Sequence, residues 1–187
     1  MKNFVSSHFL ALLASAACAF APAAQAATSD VSASSFESAF HEDVDVAPEQ
    51  AWQALVNIAG WWSASHTYSG DAANLALEPA AGGCWCERWA GNSVQHARVL
   101  VAMPERMLRL DGALGPLQAM GATGILTFRL APRAKGTSLD VTYRVRASPD
   151  AALDKVAAGV DKVLEEQVKR LAASMMKRQP DAPPGEK

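Results

Sequence analysis

From Leu153 to Met175 the apolar residues Leu153, Val156, Val160, Leu164, Val168, Leu171 and Met175 recur at helical spacing. They draw one stripe over about six or seven turns. Ser148 suits a cap, Pro149 suits the first helical position, and Asp150 complements the dipole. Glu165 with Lys169 and Glu166 with Arg170 are well-oriented pairs for the exposed side. A helix this long with one apolar face needs cover along its length, and the rest of the chain must supply it.

What precedes it reads mostly as short strands. Phe36 to Val46 alternates Phe36, Phe40, Val44 and Val46 with Glu37, Asp43 and Asp45, the pattern of a half-buried strand. Pro48 and Glu49 open a short helix carrying Trp52, Leu55 and Val56, and Trp61-Trp62 begins a second. Turn signals at Pro79, Gly82-Gly83, Gly91-Asn92, Pro104-Glu105, Gly112 to Gly124 and Lys135-Gly136 then separate strand-like runs. Those runs are Cys84–Trp89, Val94–Ala102, Met107–Asp111, Ile125–Leu130 and Thr137–Val145. The class is α+β: a curved antiparallel sheet wrapped around the last helix buries both apolar faces.

At this level the chain resembles a known family. Ala47-Pro48-Glu49-Gln50-Ala51-Trp52, the Trp61-Trp62 pair, Pro79 to Gly83 leading into Trp85 and Glu87, and Val99 followed by Pro104-Glu105-Arg106-Met107-Leu108 look like the SRPBCC superfamily. This is the START-like, helix-grip group that includes birch-pollen allergens, polyketide cyclases and activators of the heat-shock ATPase. The resemblance covers roughly Phe36 to Met176. It implies about seven strands gripping the last helix, with a cavity between them for an apolar or amphipathic molecule. Most members bind; some are cyclases, aromatases or hydrolases.

The residues suited to chemistry lie on one predicted hairpin. A two-residue turn at Gly91-Asn92 sets Trp89 opposite Val94, Glu87 opposite His96 and Trp85 opposite Arg98. One face then carries Trp85, Glu87, Trp89, His96 and Arg98, and the other Cys84, Cys86, Ala97, Val99 and Val101. Continuing the pairing past Pro104 argues for the cysteine face as core. The cost of leaving two tryptophans outside argues for the tryptophan face, and a bulge between Ala97 and Arg106 reconciles the two. The tryptophan face is favoured as the pocket. The expected ligand-binding set is Trp85, Glu87, Trp89, His96 and Tyr143, the last on the inner Leu139-Val141-Tyr143-Val145 face of its strand. Glu87 and His96 are also the candidate acid–base pair, against the plainer reading of a cross-strand ion pair.

Cys84 and Cys86 read first as buried small hydrophobes and second as a redox-active bridge. As metal ligands they would need further partners, and neither a metal nor a cofactor is implied. The apolar loop Gly112 to Gly121 reads equally as a lid or as a loop tucked against the sheet. His41, His66 and Tyr68 show no partner in sequence.

The beginning of the chain points to export. Lys2 precedes an uncharged run whose apolar centre, Phe9 to Ala17, is too short to span a bilayer, and Ala24-Gln25-Ala26 suits a signal peptidase. The expected division is a signal peptide over 1–26, a flexible lead-in over 27–35, one domain over 36–178 and a disordered tail over 179–187. The rival, a lipoprotein cut before Cys18, has Ser15 where such a site normally has Leu. A net charge of -2 gives no reason to propose nucleic acid as partner, and no other segment is apolar enough to cross a membrane. The resulting expectation is a periplasmic or secreted protein that binds a small apolar or amphipathic molecule. A cyclase- or hydrolase-type enzyme using Glu87 and His96 is the alternative, and a protein-interaction module presenting its tryptophans is third.

Overall fold

A computed structural model describes residues 27–177; the expected signal peptide, Cys18 and the tail lie outside them. The elements are β1 (Ala27–Ser32), β2 (Ser35–Val44), α1 (Pro48–Val56), β3 (Leu75–Leu77), β4 (Cys84–Trp89), β5 (Asn92–Met103), β6 (Met107–Asp111), β7 (Thr123–Pro132), β8 (Thr137–Arg146) and α2 (Ala157–Lys177). The eight strands form one antiparallel sheet in the order β1-β2-β8-β7-β6-β5-β4-β3. The sheet curves around α2 in a helix-grip arrangement.

The alternation read from the sequence holds in β8. Leu139, Val141, Tyr143 and Val145 are buried, whereas Asp140 and Arg144 are exposed. In α2 the buried positions are Ala157, Leu164, Gln167, Val168, Leu171, Ala172 and Met175. Polar groups of the same helix hold the chain that leaves α1. Gln167 Oε1 accepts from the Ser63 N–H at 2.8 Å, and Arg170 Nε donates to the Trp61 carbonyl at 2.7 Å. Trp61 stacks edge-on against Phe128 of β7, so the tryptophan pair is clamped between helix and sheet.

Four expectations need correction. Ala27–Ser32, read as part of a flexible lead-in, is an edge strand paired with β2, because small polar side chains do not prevent main-chain pairing. The last helix begins at Ala157 rather than at Pro149. Two 3₁₀ turns, Pro149–Ala151 and Leu153–Lys155, precede it, separated by Ala152 in a left-handed conformation (φ 50°). Trp61-Trp62 sits between 3₁₀ turns at Ile58–Gly60 and Ala64–His66 instead of opening a helix. The β4–β5 turn is Ala90-Gly91, both at positive φ as a tight hairpin requires, so Trp89 faces Asn92 and Glu87 faces Val94.

Candidate functional site

The hairpin register decides what reaches the inner face. Between Cys86↔Gln95 and Trp85↔Ala97 the pairing slips by one residue, so His96 is the extra residue of a β-bulge. Normal alternation along β5 would put His96 and Ala97 on opposite faces; the bulge buries both. A second slip between Val99 and Val101 restores the pairing with β6, within the interval where a bulge was expected. Arg98, placed by sequence on the face of His96, is exposed and opposite Asp111.

Glu87 and His96 therefore meet inside the protein. His96 Nε2 lies 2.9 Å from Glu87 Oε2, and both side chains are almost fully buried. Main-chain N–H groups of the loop following Thr67 complete the carboxylate's shell: Tyr68 N–H donates to Oε2 at 3.0 Å and Ser69 N–H donates to Oε1. Burial raises the Glu87 carboxyl, but the hydrogen bonds from Ser69, Tyr68 and His96 outweigh it, and its pKa falls below the ordinary value. Burial lowers the His96 pKa more than the Glu87 partner raises it, which favours the neutral imidazole. Trp85 is fully buried, its ring 5.5 Å from that of His96 and 4.7 Å from that of Trp62. Its indole N–H has no acceptor among the described residues.

A cleft of about 720 Å³ opens beside this pair, between the 62–68 segment, the 114–116 loop and the first turns of α2. Trp62, Tyr68, Leu114, Val156, Val160 and Val163 supply much of its apolar wall, His96 is its buried titratable group, and His66 and Lys155 add further polar contacts. Val156, Val160 and Val163 are only half-buried, because this end of the helix stripe faces the cleft instead of the sheet.

Of the five expected ligand-binding residues, His96 alone lines this cleft. Glu87 and Trp85 stand behind it as support. Tyr143 is fully buried under the 112–114 loop, donating to the Gly112 carbonyl at 2.9 Å and accepting from the Leu114 N–H at 3.0 Å. Burial pushes its pKa well up, so it stays a neutral donor. Trp89 is half-buried near the β4–β5 turn and is not among the lining residues. Sequence reasoning missed Trp62, His66, Tyr68 and Lys155 as lining residues, because loops bring them in and no periodicity marks them. The 112–121 loop does reach the cleft through Leu114, Gly115 and Pro116.

Of the two readings of Cys84 and Cys86, the structure shows the bridge: they are joined by a disulfide and are not free thiols. Their Cα atoms are 5.4 Å apart. A flat strand spaces such residues at about 6.6 Å, and the contraction falls where the pairing slips beside Trp85.

No protein-family model matches the chain, and no curated protein does. Solved structures do. Protein MLL2253 from Mesorhizobium loti aligns with a TM-score of 0.57 at 17% identity, covering 77% of this chain and 99% of that one. A Rhodobacter sphaeroides protein aligns at 0.54 and 21% identity, covering 83% and 100%. SA2116 of Staphylococcus aureus, a protein of unknown function, aligns at 0.55 and 10%, covering 76% and 94%. At these identities the likeness is one of fold.

Proposed function

We propose that this protein is a member of the SRPBCC superfamily that binds a small apolar or amphipathic molecule in the cleft beside His96. The observation that carries the reading is the cleft itself. A concave site of about 720 Å³ lies between sheet-side loops and the grip helix. Its walls are mainly apolar, and it contains one buried polar group with a shifted pKa. Half-buried valines on a helix that is otherwise well covered also favour a ligand as the missing partner. An apolar probe titrated into the protein should quench tryptophan fluorescence through Trp62. Saturable binding that Val160→Asp abolishes supports the reading, and failure of a range of apolar and amphipathic probes to bind overturns it.

The carboxylate–imidazole pair favours a second reading, an enzyme of cyclase or hydrolase type. A neutral imidazole backed by an ionised carboxylate is suited to accept a proton from a bound substrate. Glu87→Gln separates the two, since a catalytic pair loses turnover while binding persists. The interaction-module reading required tryptophans exposed as one patch. Trp52, Trp61, Trp62 and Trp85 are instead buried.

A further inference from the structure

The Glu87–His96 pair has a direction, and we propose that it makes the cleft selective for ligands that present a hydrogen-bond donor, such as a hydroxyl or a phenol. This rests on the cleft being a ligand site and names the chemistry that such a ligand must carry. Glu87 is held as a carboxylate by two main-chain N–H groups, so it has no proton to give. Its 2.9 Å contact with His96 therefore requires the proton to sit on Nε2 of the imidazole. A neutral ring carries one ring proton, which leaves Nδ1 with a lone pair. No hydrogen bond to Nδ1 occurs among the described residues, yet His96 lines the cleft. With Nε2 turned to Glu87, what His96 offers the cleft is an acceptor.

The surroundings narrow the ligand further. Behind the acceptor lies a buried negative charge with its oxygens already engaged, so a carboxylate placed against His96 meets like charge. An ether or a carbonyl placed there brings a second lone pair against the first. A hydroxyl gives its proton to Nδ1, and the polarised Glu87–His96 bond strengthens that contact. The rest of such a ligand can stay apolar, because Trp62, Leu114, Val160 and Val163 surround it with carbon.

The test compares probes of one shape. Calorimetric titration of the purified chain with 2-naphthol, 2-methoxynaphthalene and 2-naphthoate should rank the naphthol first, by about tenfold over the ether. In His96→Phe, which keeps an aromatic ring in the wall, naphthol and ether should become equal; circular dichroism checks that this variant is folded. Equal affinities for naphthol and ether on the unmodified protein overturn the inference and leave the cleft reading standing. So does naphthoate binding tightest, which assigns selectivity to Lys155, or a naphthol preference that survives in folded His96→Phe. No binding of any probe overturns both.

Discussion

The Tyr143 hydroxyl gives one hydrogen bond and takes another, tying both ends of the Gly112–Leu114 segment to β8. Gly124 makes room for it, since a Cβ there would lie 2.6 Å from the hydroxyl oxygen. Tyr143→Phe leaves a part-buried carbonyl and N–H without their partner and should cost about 1 kcal/mol. Because the same loop carries Leu114 and Pro116 into the cleft, ligand affinity should also fall, read by calorimetry beside a melting curve. An unchanged affinity in Tyr143→Phe means the loop holds its place without the tether. Sequence placed Tyr143 correctly on the inner face of its strand, yet the inner face includes everything buried there. Alternation tells inside from outside, but it cannot tell a cavity wall from packed core.

His96 makes a residue-scale prediction about pH. Its pKa is lowered in the fold from the ordinary 6.5, so the unfolded chain takes up this proton first. The stability that depends on neutral His96 is fully present above 6.5 and is lost as pH falls below it. The groups near the ring are Glu87 on β4 and Tyr68 from the loop between α1 and β3, with His66 and Lys155 on the cleft. His41, raised chiefly by its hydrogen bond to Asp140, acts in the opposite sense, and its contribution is lost as pH rises through its folded value. Comparing melting temperatures of the wild type and His96→Gln between pH 7.5 and 5 cancels the His41 part. The wild type should lose more on acidification, and parallel curves would show that His96 does not titrate with folding.

At the scale of elements, one apolar stripe along the last helix serves two purposes. Leu171 is buried against the sheet and Leu164 is buried at the edge of the cleft, whereas Val160 is half-buried on the cleft. Leu164→Ala should cost about 2–5 kcal/mol by chemical denaturation. Val160→Ala should stay below about 1 kcal/mol and alter ligand affinity more than stability. The stripe was legible because i, i+3, i+4 spacing records which residues share a face. What covers that face was not legible, since coverage depends on where the sheet ends. The β4–β5 hairpin shows the same limit more sharply. Its strands were readable from alternation and its partners were not, because a turn displaced by one residue and a bulge at His96 together reassign every cross-strand neighbour. Glu87 and His96 still meet because Glu87 faces Val94, and His96, two residues further along β5, lies on the same face.

At the scale of the whole molecule, we propose export as a soluble protein. Cleavage after Ala26, as the sequence suggests, would leave the chain starting at Ala27. The Cys84–Cys86 bridge is compatible with that proposal, because disulfides persist in oxidising compartments and are reduced in most cytosols. We therefore expect protein recovered from the periplasm or medium of its host to begin at Ala27 and to weigh two hydrogens less than its reduced form. Intact-mass measurement before and after reduction tests both points on one sample. A lipid attached at Cys18, or an uncut chain retained in the cytosol, would refute export as a soluble protein. A correctly cut chain with free thiols at Cys84 and Cys86 would leave export intact and remove the bridge from the strand that positions Glu87.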